Sequence, residues 1–368
     1  MAILHMDDFA GYGNARGSLM LSGVYAGLNL TSVGGDGQFS FPLDPDGITN
    51  KRCLLLRNSG QNVTSIIRKP LQQPKTTIGA MTRVWFDALP VNGANYPMVL
   101  MGENVESIFM LDVSGSGRIR IRGGNERLGR QPVIYQSDGP VITATGWWHI
   151  EWKTVISPSA GSFEVRVEGL PVPGLVHNNI NTGTQPVLQF GFGQGGEGGG
   201  FGFDHYQKDL VVWDDEGNDV NDFIGTALIH RHQLVDDISS DWTFTGGQDG
   251  AQILNTAPPS PASFINASHD NVPAIYRASI SPLPERTTRV RGIQVRTMAA
   301  KNDGGDAGLQ SGIVAGYQAG EEVFEGQDRP LTVAQLYYDD YCTRNPKTNA
   351  EWLPSEVDDA LVQLKRTR

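Results

Sequence analysis

A β-rich chain hydrolyses a glycoside by placing two carboxylates about the scissile bond, one as acid and one as nucleophile or base. The closest candidates are Glu151, in GWWHIEWKTVIS (146–157), and the pair Glu164 and Glu168 in FEVRVEG. Glu151 has no carboxylate two or four residues away, and Arg166 stands between Glu164 and Glu168. A salt-bridged strand face is therefore the expectation for 164–168, and hydrolysis is not. His230 and His232, in IHRHQL, would share a strand face, a spacing that suits a metal. Two imidazoles alone do not close a zinc site, and no further Cys or His stands nearby at ligand spacing. The acidic run Asp214, Asp215, Glu216, Asn218, Asp219 offers oxygen ligands of the kind calcium takes. It lacks the EF-hand pattern, and Asp, Asn and Gly also build ordinary turns. Calcium is thus the one cofactor the sequence suggests. No Gly-x-Ser-x-Gly elbow and no Cys/His spacing supplies a nucleophile. The run FGFGQGGEGGGFGFD (190–204) has glycine at eight of fifteen positions but no Lys-Ser/Thr ending, so it is no phosphate loop. A glycine-rich strand crossing or loop is expected there. These absences favour a binding or structural protein over an enzyme.

The elements that carry these residues read as strands. Neighbouring side chains of a strand point to opposite faces. In GWWHIEWKTVIS, Trp148, Ile150, Trp152, Thr154 and Ile156 share one face, expected to be core. Trp147, His149, Glu151 and Lys153 share the other, expected to be wet. Trp147, His149 and Glu151 are accordingly the candidates for contact with a ligand or a neighbouring subunit. Arg118, Arg120 and Arg122 alternate with Ile119 and Ile121 in GRIRIRGG, and a solvated basic face is expected. Similar short runs recur every 8 to 15 residues up to about residue 235, from ILHMDDF to KDLVVWDD and IGTALIHRHQL, with QQPKTT as a loop. That spacing implies an antiparallel sandwich or barrel over 1–235. Residues 236–263, ending in the proline-stiffened TAPPSPAS, are expected to be a linker. A smaller β-rich domain over 264–368 holds AIYRASIS, RVRGIQVRTMAA and GIVAGYQ, and ends in a short helix that Ser355 can cap.

Length and composition fit that plan. The 368 residues can bury two cores without staples, and 45 glycines with 21 prolines suit many turns. A formal charge of −11, from 29 basic and 40 acidic residues, repels phosphate backbones and argues against nucleic acid as partner. Cys53 and Cys342 lie far apart, so two free thiols and synthesis in a reducing cytoplasm are expected. MAILHMDDFAGYGN has neither a basic start nor a long apolar run, so no signal peptide and no membrane partner are expected.

Two resemblances add a setting. GWWHIEWKTVI followed by SFEVRVEGL resembles the Trp-His-x-Glu strand and following hairpin of concanavalin A-like or laminin G-like jelly rolls, over roughly 1–235. The later segments resemble virion structural proteins of tailed bacteriophages. KDLVVWDDEGNDVNDFIGTALIHRHQL is similar to a strand and acidic turn leading into Asn-Asp-Phe-(Ile/Leu)-Gly. VRGIQVRTMAAKNDGG is similar to their Val-x-Gly-Val-Gln-Val strand, and NPKTNAEWLPSEVDDALVQLKR to their Asn-Pro-x-Thr…Trp ending. Leu353 and Asp358 stand where threonine and asparagine are usual, and Leu364 near an expected glycine. The order of these segments is kept across 205–368.

The resemblance implies a non-enzymatic component of a phage particle, on the tail or baseplate or decorating the capsid. It would be made in the host bacterial cytoplasm and would assemble with other virion proteins, as a homo-oligomer. The rival expectation is a carbohydrate-binding adhesion module that recognises host-surface glycans through Trp147 and its neighbours. A polysaccharide depolymerase is the third.

Overall fold

The structure is a computed structural model that describes residues 3–12, 24–29, 39–47, 51–56, 64–87, 93–103, 106–126, 131–196, 204–217, 219–256, 260, 262–267, 272–302, 304–317 and 320–368. The chain forms two compact units, Met1–Ile229 and His230–Arg368.

In the first unit the strands are β1 (Ile3–Asp7), β2 (Ala26–Asn29), β3 (Phe39–Ser40), β4 (Leu54–Leu56), β5 (Thr64–Lys75), β6 (Thr77–Phe86), β7 (Gly93–Met101), β8 (Ser107–Val113), β9 (Ile119–Glu126), β10 (Val133–Gln136), β11 (Gly146–Val155), β12 (Gly161–Val167), β13 (Leu170–Ile180), β14 (Val187–Gly196) and β15 (His205–Trp213). They make two antiparallel sheets. One runs β13-β12-β11-β6-β15-β4-β3, with β1 also on β15; the other runs β10-β9-β8-β7-β14-β5-β2. This is the antiparallel sandwich expected of the pattern. Ile150 and Trp152 on one sheet meet Met98 and Leu111 on the other, together with Ala80, Thr82 and Pro97. Each large side chain removed from water there contributes about 2 to 3 kcal/mol.

Several expectations change. QQPKTT is no loop, since β5 runs through Lys75 and pairs with β14. The glycine-rich run supplies β14, an interior strand between β5 and β7. A Cβ on Gly191 would stand 2.7 Å from the carbonyl oxygen of Ile67, so the close approach of β5 requires glycine. Residues 197–203 lie outside the described residues. The arginines of β9 do not form a solvated face. Arg120 grips the fully buried Asp112 through Nε at 2.6 Å and Nη2 at 2.8 Å. Arg122, itself buried, pairs with the same carboxylate, which needs such partners because a buried charge without them is costly. IGTALIHRHQL forms no strand before Leu234.

The second unit begins at residue 230 rather than after a linker. Residues expected to link instead hold β16 (Leu234–Ser240), β17 (Trp242–Thr245) and the short helix α1 (Gly250–Leu254). The Asp249 carboxylate caps α1 by accepting from the N–H groups of Ala251 and Gln252. Then come β18 (Phe264–Ala267), β19 (Ala274–Ile280), β20 (Ile293–Ala299), β21 (Gly308–Ala315), β22 (Glu322–Glu325), β23 (Arg329–Pro330), β24 (Leu336–Cys342), α2 (Pro354–Asp358) and β25 (Leu361–Arg366). The main sheet runs β16-β19-β25-β21-β22, with β23 also on β21; β17 pairs β18 and β20 pairs β24. Packed on the sheet, Val295, Cys342, Trp352 and Val357 meet Ile280 and Ile313 in one core cluster.

The C-terminus is a strand, not a helix. The helical turn α2 starts after Leu353, with Pro354 first and Ser355 inside it, and ends by Asp358. Glu356 accepts from the N–H of Leu353 at 2.9 Å, which does the capping expected of Ser355. Strand β25 then lies between β19 and β21, and pairing on both edges overrides the helical bias of its polar residues. Leu364 is buried there beside Tyr276 and Leu309. Cys53 and Cys342 are free and buried, and burial pushes their thiols up to about 12 and about 11.

Candidate functional site

Register fixes what stands on the outer face of the β11 sheet. Trp147 lies opposite Trp85, which lies opposite Tyr206, so one row crosses β11, β6 and β15. The next row is His149, Arg83 and Lys208, and the next Glu151, Met81 and Val211. Lys153, Gly79 and Trp213 follow. The indole of Trp213 lies so close over Gly79 that an added Cβ would fall 2.2 Å from it.

This face is not wet, as alternation alone implied. His149 and Glu151 are 2% and 0% exposed. What covers them is the chain that follows β15, residues 214–229. Every residue of Asn221-Asp222-Phe223-Ile224-Gly225 has a task in holding it down. The carbonyl of Asn221 and the carboxylate of Asp222 accept from the Lys153 ammonium at 3.2 and 3.0 Å. The Phe223 ring lies 3.8 Å under the Arg166 guanidinium. Ile224 is buried, and its N–H and that of Gly225 donate to Glu151 Oε1 at 2.9 and 3.0 Å. Gly225 has φ +75, a conformation that favours glycine. Further on, the N–H of Ile229 donates to Asp209 at 3.0 Å.

Burial sets the charge states beneath this strap. It raises the Glu151 carboxyl above its ordinary value, although the two N–H donors and Arg166 oppose it. It lowers His149 to about 4, with Arg83 acting in the same direction and Glu168 against. His149 is therefore neutral at pH 7. Asp209 is raised, again by burial. Glu151 serves as an anchor for its own chain, and His149 is buried beside it.

The acidic run takes its cation from the protein. The Lys75 ammonium lies 2.7 Å from Asp214 and 2.8 Å from Glu216. Burial would push its pKa down, but those two carboxylates outweigh it and raise the value. Asp215 is exposed and Asn218 lies outside the described residues. No group of three or more His, Cys, Asp or Glu among the described residues, Asp219 included, is arranged to hold a metal. In this turn the Lys75 ammonium neutralises Asp214 and Glu216. His230 and His232 pack edge to face with ring centroids 5.0 Å apart, and His232 Nδ1 bonds to the carbonyl of Ser281. Arg166 Nε donates to Glu164 at 2.6 Å, the salt-bridged face that the spacing suggested.

No family model and no curated protein matches the chain. Among solved structures it is similar to an alginate lyase, vAL-1, from Chlorella virus, at 13% identity over 54% of this chain and 98% of that one, with a TM-score of 0.40. It is similar to the cellulose induced protein Cip1, at 12% identity over 56% and 96%, TM-score 0.41. A galectin-like protein from Bacillus subtilis is similar at 10% identity over 58% and 96%, TM-score 0.36. Likenesses this distant carry no activity across.

The outer face also carries the aromatic row. Trp147, Trp85 and Tyr206 are each only half-buried. Trp147 meets Trp85 edge on, with ring centroids 5.8 Å apart, and the Lys208 ammonium lies 4.0 Å from the Trp147 ring centre. Lys208 also pairs with buried Asp44 at 2.5 Å. Of the three sequence candidates, Trp147 alone keeps a surface. Trp85 and Tyr206 were missed, although alternation in TRVWF and HYQKD puts them on the faces of Arg83 and Lys208. Trp148, expected in the core, is half-buried and donates its indole N–H to the carbonyl of Ala144 at 3.0 Å. Trp152 is core, at 3% exposure.

Proposed function

We propose that this chain is a non-enzymatic structural component of a tailed-bacteriophage particle, on the tail or baseplate or as a capsid decoration, assembling as a homo-oligomer with other virion proteins. The observation that carries this reading is the work done by the segments that resemble virion proteins. The Asn221 to Gly225 stretch clasps β11 and β12, Val295 packs against the main sheet of the second unit, and Trp352 fills the same core. All three build framework. Glu151, the carboxylate nearest a hydrolytic role, is turned to backbone N–H groups and fully buried. Protein composition and electron microscopy of purified particles test the reading. Particles that lack the chain, while it accumulates as a free monomer, overturn it.

The row Trp147, Trp85, Tyr206 favours a second reading, adhesion to host-surface glycans, because partly exposed aromatic rings beside polar groups offer both apolar contact and hydrogen bonds to a sugar. The two readings are compatible, since a particle component can also be the part that touches the host.

A further inference from the structure

We propose that the Trp147, Trp85 and Tyr206 row, together with Arg83, binds a glycan that carries a carboxylate. The inference rests on the second reading above and names the sugar chemistry of that site. Its starting point is an exception in how the cations of this face are paired. Lys153 has Asp222, Arg166 has Glu164, and Lys208 has Asp44, each within 3.0 Å. Arg83 stands between His149 and Lys208 in the row next to the aromatics, and among the described residues its side chain makes no hydrogen bond and no ion pair. The residue is only partly buried, so an acceptor can approach it.

The groups around that cation leave its side chain without a direct partner. His149 is neutral at pH 7 because it is buried. Asp209 is near enough to feel Arg83, but one of its oxygens accepts from Ile229 and burial favours its uncharged form. A guanidinium recognises a carboxylate in a two-point, coplanar arrangement that a hydroxyl cannot match. The rings supply the remaining surface. Three strands at about 4.8 Å spacing set Trp147 and Tyr206 about 10 Å apart, room for two sugar rings laid along the row. The chain as a whole has a charge of −11, so a local cation is what lets an acidic sugar approach here and not elsewhere.

The test uses the full chain and matched probes: tri-galacturonate against its carboxyl-reduced counterpart, and sialyllactose against lactose. Calorimetry and tryptophan fluorescence measure binding, with near-ultraviolet circular dichroism to show that each variant is folded. The expected result is at least tenfold tighter binding of the acidic member of one pair, and which pair it is distinguishes a uronate chain from a sialylated one. Trp85→Ala and Trp147→Ala should each weaken binding at least tenfold. Arg83→Met, which leaves the rings in place, should reduce the acidic probe to the affinity of its neutral partner. Equal affinity within both pairs, or no effect of Arg83→Met, overturns the carboxylate assignment while leaving glycan adhesion standing. No binding of any probe by the folded chain overturns both.

Discussion

Replacing Glu151 by alanine should release the strap, and the structure sets the size of the effect. Glu151 Oε1 accepts from two backbone N–H groups, of Ile224 and Gly225, in a fully buried site. A hydrogen bond to a charged group contributes about 1.5 to 3 kcal/mol, and a buried donor left without an acceptor costs about 1 to 3. Were the strap to stay in place, two orphaned donors would cost about 2 to 6 kcal/mol. Undocking limits that loss, because the freed N–H groups regain water while the burial of Ile224, worth about 2 kcal/mol, is given up. A net destabilisation of about 3 kcal/mol is expected, which lowers the midpoint of the first unit by about 6 to 12 °C. Glu151→Gln keeps an oxygen for both donors and removes the buried charge, so it should cost about 1 kcal/mol or less. The pH signature separates the two. Since burial raises the Glu151 pKa, the docked strap takes up a proton more readily than the free chain. Docking therefore strengthens as pH falls through the raised value toward the ordinary carboxyl range, and Glu151→Gln should lose that part of the slope. Thermal unfolding, with amide exchange read at Ile224 and Gly225, measures both effects. Unchanged protection of those two amides in Glu151→Ala, or equal losses in the alanine and glutamine variants, would refute the clasp.

Other groups give sharper acid and packing tests. His205 is fully buried, its Nε2 is 2.8 Å from Gln207 Oε1, and burial lowers its pKa from 6.5 to about 4. The unfolded chain takes up that proton first as pH falls below 6.5, so about 3 kcal/mol is lost by pH 4, and His205→Gln should flatten the slope in urea titrations at pH 7 and pH 4. Lys75→Met leaves Asp214 buried without its cation and should cost about 3 kcal/mol at pH 7, seen as a lower midpoint, with partial recovery as acid protonates the carboxylate. Trp352→Ala removes one of the largest fully buried side chains and should destabilise the second unit by about 3 to 5 kcal/mol while exchange in the β11 strand stays unchanged.

The sandwich was legible because burial on one face imprints alternation, as in SFEVRV, where Phe163, Val165 and Val167 are all buried. The outer face of β11 was misread for the same reason. Alternation reports that His149 and Glu151 are polar, not that they are wet, and only the later chain decides which. The strap itself has no period to detect, since backbone N–H groups, one carbonyl and a glycine at positive φ hold it alongside the adjacent Asp222, Phe223 and Ile224 side chains. Its trace in the sequence was the resemblance of Asn-Asp-Phe-Ile-Gly, which gave order without mechanism. The cation that pairs with the acidic turn was not legible, because Lys75 stands far from Asp214 in sequence. Trp85 and Tyr206 are lone aromatics in distant strands, and only register puts them beside Trp147.

The order of fastenings along residues 214–229 gives the first unit a mechanical property. Tension entering the chain at residue 230 meets the Ile229 to Asp209 bond first, then the pair on Glu151, then the Asp222 to Lys153 contact. These yield one after another, as a seam is unpicked, and the Lys75 ammonium on Asp214 and Glu216 is the last fastening before the load reaches β15. A pull on one end of this chain is thus absorbed as slack, and the sandwich stays whole until the slack is gone.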